Sequence, residues 1–222
     1  MTTTLVTGAN RGIGLALAKQ AAAAGHTVIG TAREPGTAVD LRETGARVLR
    51  LDAADPVSVD AFATELADEP VDILINNGAI FPDRAGLEGT DLDQFEATLR
   101  VNVRGPLAVT RALLPNLRAG ERKTVATISS SMGSIAGTKS GGSYAYRVSK
   151  ASVNMLMRAM AAEIDDLVFL AIDPGWVRTD MGGEKGDVSV DESADGLVTE
   201  FDRLSLETTG SFRTWDGRDL PF

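Results

Sequence analysis

The chain has 222 residues, enough for one sizeable α/β core and short of two full domains. Its 43% hydrophobic and 24% charged residues are those of an ordinary globular chain, and the absence of cysteine excludes disulfides, a thiolate metal site and a catalytic thiol. With 31 acidic against 22 basic residues, the net charge of −9 argues against nucleic acid and anionic membranes as partners. No apolar stretch reaches the ~18 residues of a membrane span, and Met1-Thr2-Thr3-Thr4 lacks the basic start of a signal peptide, so the expected location is cytoplasmic.

The short β-branched run at 3–7 predicts a first strand, and the Ala- and Leu-rich stretch 13–24, ended by Gly25, a first helix. Further strands are expected at 27–31, 47–51 and 71–75, separated by a short helix near 38–43 and a longer one at 57–67 behind Asp55-Pro56. A helix begins at Asp91 and continues through 106–117, followed by a strand at 124–128 and a long helix at 144–164. The run 167–172 is apolar throughout, which predicts a strand covered on both faces and central in a parallel sheet. Residues 181–195, rich in Gly and Asp, predict a mobile loop; a helix near 194–204 and a short strand around Ser211-Phe212 complete the chain. Alternating β and α elements predict a single α/β doubly wound domain: a parallel sheet of about seven strands, helices on both faces, and ligands beyond the carboxyl ends of the strands.

Between the first strand and first helix lies Thr7-Gly8-Ala9-Asn10-Arg11-Gly12-Ile13-Gly14. Glycines there let the backbone turn sharply and approach a pyrophosphate, whose charge the free N–H groups of the following helix accept. No lysine follows, which argues against a nucleotide hydrolase. The alternative is a tight turn with no ligand. After the second strand comes Arg33, where many dinucleotide sites place an acid for the ribose hydroxyls. A guanidinium suits a 2′-phosphate, and Arg11 adds a second charge, so NADP(H) is preferred over NAD(H). The competing reading makes both arginines solvated surface groups. Asp52, after the third strand, is a candidate acceptor for the adenine amino group, or a helix-capping acid.

Tyr146 and Lys150 stand at i and i+4 and share a face if their segment is helical. An ammonium beside a phenol favours phenolate and moves the group toward proton transfer near neutrality. Upstream, Ser129-Ser130-Ser131 places hydroxyls at the carboxyl edge of the fifth strand.

These motifs, in this order and spacing, resemble the short-chain dehydrogenase/reductase family, of its carbonyl-reductase-like and C-factor-like branch. The glycine turn is joined by Asn76-Asn77-Gly78-Ala79, Val101-Asn102-Val103, Tyr146 to Lys150, Asp173-Pro174-Gly175-Trp176-Val177-Arg178-Thr179, and an ending with Phe212-Arg213-Thr214-Trp215-Asp216-Gly217. The resemblance implies a Rossmann-type domain spanning 1–222, with 181–205 as a substrate lid. It implies a catalytic set of Asn102, Ser130, Tyr146 and Lys150. Tyr146 would exchange a proton with the carbonyl oxygen; Lys150 would lower the Tyr146 pKa and hold the nicotinamide ribose. Ser130 would hold the substrate oxygen, and Asn102 would support a water-linked relay to Lys150. Cofactor contacts would come from Gly8, Asn10, Arg11, Gly12, Ile13, Gly14, Arg33, Asp52, Asn76, Tyr146, Lys150, Pro174, Gly175, Val177 and Thr179. Gly78-Ala79 inverts the family's usual Ala-Gly order, so position 79 must hold a backbone conformation that alanine tolerates.

His26, the one histidine, lies far in sequence from every motif and is expected to be structural. One histidine and no cysteine give no basis for a metal site. The expectation is thus an NADPH-dependent oxidoreductase reducing a ketone or aldehyde to an alcohol, working as a homodimer or homotetramer. The alternative is an NADP(H)-binding regulatory protein with vestigial catalysis.

Overall fold

Short β-branched and leucine-rich runs, each closed by a glycine or polar turn, pair side by side in a computed structural model that describes residues 1–82 and 84–222. The strands are β1 (Thr3–Val6), β2 (Thr27–Ala32), β3 (Arg47–Arg50), β4 (Ile73–Asn76), β5 (Thr124–Ile128), β6 (Val168–Asp173) and β7 (Ser211–Thr214). They form one sheet in the order β3-β2-β1-β4-β5-β6-β7, every pair parallel. The order reverses between β1 and β4, which opens a crevice at their carboxyl ends.

The helices are α1 (Gly12–Ala23), α2 (Val39–Glu43), α3 (Pro56–Leu66), α4 (Leu92–Leu99), α5 (Gly105–Ala112), α6 (Leu114–Ala119), α7 (Tyr144–Glu163) and α8 (Val190–Asp202). Successive strand residues point to opposite faces, so the sheet divides the core in two. Val6, Ile75, Ile128 and Ile172 pack with Leu17 of α1 and with Leu197 and Phe201 of α8. Leu5, Leu74, Val125 and Phe169 pack with Phe62 of α3, Val109 of α5 and Met157 of α7. Burying one such side chain contributes about 1.5–3 kcal/mol. No helix among the described residues is long and apolar enough to cross a membrane.

Three expectations are corrected. The helix expected to run from Asp91 through 117 is broken: Arg100–Arg104 forms a π-helical turn between α4 and α5, and α6 restarts at Leu114. Pro115 causes the second break, because its ring excludes the N–H and the space a continuous helix needs. β6 is not central; β7 lies beyond it, and β6 is buried along its length because helices cover both its faces. Finally, α8 begins at Val190, inside the expected loop, where Ser189 and Glu192 form a reciprocal capping box. The segment before it is fastened: Arg178 N–H donates to Val188 O (3.0 Å), Val188 N–H to Trp176 O (3.2 Å), and Trp176 Nε1 to Gly182 O (2.8 Å).

Candidate active site

The glycine turn is held from below by a residue the sequence did not single out. Asn77, just past β4, donates its side-chain amide to Thr7 O (3.1 Å) and Gly8 O (3.0 Å), and its backbone N–H to Thr7 Oγ1 (3.0 Å). A Cβ on Gly14 would overlap the Gly8 carbonyl oxygen and stand 2.5 Å from Asn77 Nδ2, so only glycine lets α1 start this close to β1. Gly8 and Gly12 have φ of +60° and +55°, the left-handed region that other residues occupy with strain. Arg11, at the N-cap of α1, makes no side-chain capping bond, which leaves the first-turn N–H groups facing outward as an anion cradle. These residues fit a dinucleotide pyrophosphate.

Around that cradle, Asn10 and Arg11 are exposed, and Arg11 Nη1 pairs with the Asp180 carboxylate at 2.9 Å across the mouth of the crevice. Arg33 is exposed directly beyond β2. Asp52 follows β3 and accepts the Ala54 N–H at 3.0 Å. Asn76 is buried and faces inward, its amide donating to Thr110 (3.1 Å) and Thr127 (3.3 Å); the contact with the glycine turn belongs to Asn77 instead. Ala79 has no positive φ, so the inverted Gly78-Ala79 pair needs no strained backbone. His26 bonds Thr4 Oγ1 through Nδ1 at 2.9 Å, away from the crevice.

Ile13, Pro174, Gly175, Val177 and Thr179 line a cleft of ≈ 440 Å³ that Ser130 and Tyr146 also line. A larger open depression of ≈ 570 Å³ beside α1 and α2, lined by Lys19, Asp40 and Glu43, lies away from all of them. Ser130, two residues past β5, caps a short 3₁₀ turn, its hydroxyl accepting the Met132 N–H at 3.2 Å. That turn sits on α7 so closely that a Cβ on Gly133 would lie 2.6 Å from the Lys150 carbonyl carbon. Tyr146, in the first turn of α7, packs edge-on against Phe81, with ring centroids 4.5 Å apart. One turn later Lys150 is buried, its Nζ 5.4 Å from the Tyr146 ring centroid and donating to Ile128 O at 2.8 Å. Asn102 lies in the π-helical turn, a device common at functional sites. It grips Ile80 through both backbone groups (2.8 and 2.9 Å) and donates to Ser149 Oγ at 3.0 Å.

The electrostatics depart from the expected lysine-driven depression of the phenol. Burial, and then the charge of Asp173, push Tyr146 up to about 12, while the Ser130 hydroxyl bonded to it acts in the opposite direction. Burial brings Lys150 down to about 8, opposed by the Asp173 charge. Asp173 closes β6 and lines the cleft; its carboxyl is lifted above the usual carboxylate range by burial, against bonds from Gly175 and Ser131 and the Lys150 charge. The sequence contained a signal for it, an acid ending an otherwise apolar strand. Phe81, Arg84 and Met181, also cleft-lining, lie outside every motif, whereas Trp176 stands within the Asp173 to Thr179 motif.

The model of the short chain dehydrogenase family matches residues 2–188. The chain belongs to that family. Among its relatives, the C-signal of Myxococcus xanthus is 40% identical over 164 residues, covering 73% of this chain and 99% of that protein. Two solved structures superpose over the whole chain. The NADPH-bound carbonyl reductase from chicken fatty liver has a TM-score of 0.93 at 31% identity and is 99% covered. The carbonyl reductase Sniffer of D. melanogaster has a TM-score of 0.93 at 27% identity and is 100% covered. This member of the short-chain dehydrogenase family is thus an oxidoreductase with the all-parallel, doubly wound sheet its strands predicted.

Proposed function

We propose that the chain is an NADPH-dependent carbonyl reductase acting on a small ketone or aldehyde. The observation that carries this reading is that Ser130 and Tyr146 line one cleft with Ile13 of the glycine turn, with buried Lys150 5.4 Å from the Tyr146 ring. When bound, NADPH supplies the hydride. The first-turn N–H groups of α1 would hold its pyrophosphate, and Arg33 with Arg11 would take the 2′-phosphate, Arg11 exchanging its contact with Asp180. Thr179, Val177 and the Pro174-Gly175 turn would border the nicotinamide. Ser130 would donate a hydrogen bond to the carbonyl oxygen, and Tyr146 would pass its proton to that oxygen as charge develops there. Lys150 would hold the ribose from below, and Asn102 would keep the Ile80 backbone beside the cleft. The segment 181–205 would act as the lid, with Trp176 and Met181 presenting apolar surface to substrate.

The test is loss of NADPH absorbance when purified protein meets a panel of aldehydes and ketones. Tyr146→Phe is expected to lower kcat about 10²–10⁴-fold with NADPH affinity retained. Absence of turnover with every substrate, or an undiminished Tyr146→Phe enzyme, overturns the reading. The similarity to C-signal favours a second reading, an NADP(H)-binding regulator with vestigial catalysis. It would bind NADPH in calorimetry, leave it unoxidised whatever substrate is added, and change affinity for a protein partner with the cofactor's redox state.

A further inference from the structure

Arg84 has no part in the reduction just described, yet it lines the same cleft as Ser130 and Tyr146 and is the one basic side chain among the described residues that does. Its guanidinium carbon lies 5.7 Å over the Phe81 ring, and that ring meets Tyr146 edge-on at 4.5 Å, so one aromatic side chain separates the cation from the phenol. The other arginines around the crevice are engaged: Arg11 with Asp180, Arg147 with Gly142 O and Ser140, Arg178 with Gly186 O. Among the described residues the Arg84 side chain has neither an ion pair nor a hydrogen bond, and its exposed fork keeps its N–H donors open. We propose that Arg84 is the anion-recognising end of the substrate site, and that the carbonyl compound reduced here carries a carboxylate remote from its carbonyl.

The backbone on either side of Arg84 is fastened to the elements that carry the chemistry. Upstream, Asn102 of the π-helical turn grips Ile80 through both backbone groups. Downstream, Ala85 O accepts the N–H of Ser143 at 3.0 Å, and Ser143, the residue before α7, holds a left-handed φ of +52° that costs a non-glycine residue energy. Phe81, Met132, Trp176 and Met181 give the cleft its apolar surface. An apolar body with two polar ends matches such a lining, its carbonyl oxygen at Ser130 and Tyr146 and its anion on Arg84. The one acid among the described lining residues, Asp173, stands at the Pro-Gly end, bonded by the Gly175 N–H at 3.1 Å, so charges of opposite sign on different elements orient an anionic substrate toward Arg84. The intervening Phe81 ring sets the anion apart from the reacting carbon, which selects against a 2-oxo acid. A single planar guanidinium pairs with both oxygens of a carboxylate, whereas a phosphate dianion would keep one charge unmatched in a chain of net charge −9.

This inference rests on the reductase reading for turnover, so its test reads binding first. In the complex with NADP⁺, which has no hydride to give, calorimetry is expected to show 4-carboxybenzaldehyde bound at least about tenfold tighter than 4-methylbenzaldehyde, the worth of one charge-assisted contact. In Arg84→Gln that ratio is expected to fall to about one, and in Arg84→Lys, which keeps the charge and loses the fork, to stay above it. Arg84 is exposed, so these substitutions leave the core packing intact. With NADPH, the active enzyme is expected to show the same preference in kcat/KM, carried by KM. Equal affinity of the unaltered protein for the two aldehydes, or a preference that Arg84→Gln retains, overturns the proposal. A binding preference without turnover upholds it and overturns the reductase reading; turnover without the preference does the reverse.

Discussion

At Lys150, burial brings the pKa down to about 8 from the ordinary lysine value of 10.5. Between those values the unfolded chain binds more protons than the folded one, so stability rises with pH across the interval and is flat below it. Tyr146 acts the other way: with its folded value raised to about 12 from 10.0, the folded state retains a proton the unfolded chain has lost, and stability falls from pH 10 upward. The protein is therefore expected to gain stability from pH 8 to about 10 and then lose it. In Lys150→Met the gain disappears while the loss remains, as urea midpoints across this range would show. Arg33 offers a cleaner test of cofactor choice. Losing one charge-assisted contact of about 1.5–3 kcal/mol, Arg33→Ala is expected to weaken NADPH binding roughly 10- to 100-fold and leave NADH binding unchanged in calorimetry.

The elements show why the glycine turn cannot drift. Gly14→Ala would press a methyl group into both Gly8 O and the Asn77 amide, so the turn must open; NADPH affinity is expected to fall at least about tenfold, with a stability loss of roughly 1–3 kcal/mol in denaturant melts. Asn77→Ala should reproduce the affinity loss without the clash, because the same carbonyls lose their staple. Ser189→Ala, which removes the cap of α8, is expected to cost about 1 kcal/mol. Much of this level was legible in the residues: the strand runs, the glycine spacing and the i, i+4 pair of Tyr146 and Lys150 are local patterns. What was not legible was tertiary. The π-helical turn at Arg100–Arg104 puts Asn102 under Ile80, and no local rule marks it. Asn77 rather than Asn76 meets the turn because strand alternation, fixed by pairing with β1 and β5, sends the earlier side chain into the opposite face. The Ser189-x-x-Glu192 cap was readable and was hidden by the polar composition around it.

Across the molecule, the segment after β7 packs against the turn that follows β6 and against α8. Trp215, after β7, fills the space that Gly175 and Gly196 leave: a Cβ on Gly175 would stand 2.9 Å from its indole nitrogen, and one on Gly196 would overlap its carbonyl oxygen. Trp215→Ala is expected to destabilise the fold by roughly 2–3 kcal/mol and to raise KM more than it lowers kcat, since it loosens the Pro-Gly turn and leaves Tyr146 in place. Beyond it, Ser134 donates to Pro221 O at 2.6 Å and Ala136 N–H to Phe222 O at 3.0 Å, while the Phe222 ring lies 5.8 Å from Phe212. The strap joins residues 87 apart in sequence. Synthesis proceeds from the other end. Every residue that bonds the backbone of the glycine turn, up to Asn77, has left the ribosome long before Pro221 is made, so a growing chain completes its nucleotide cradle early and the wall behind Ser130 last. Chains arrested at successive lengths would retain nucleotide before they reduce anything, and the order of those two gains is written in the distance between Ser134 and Pro221.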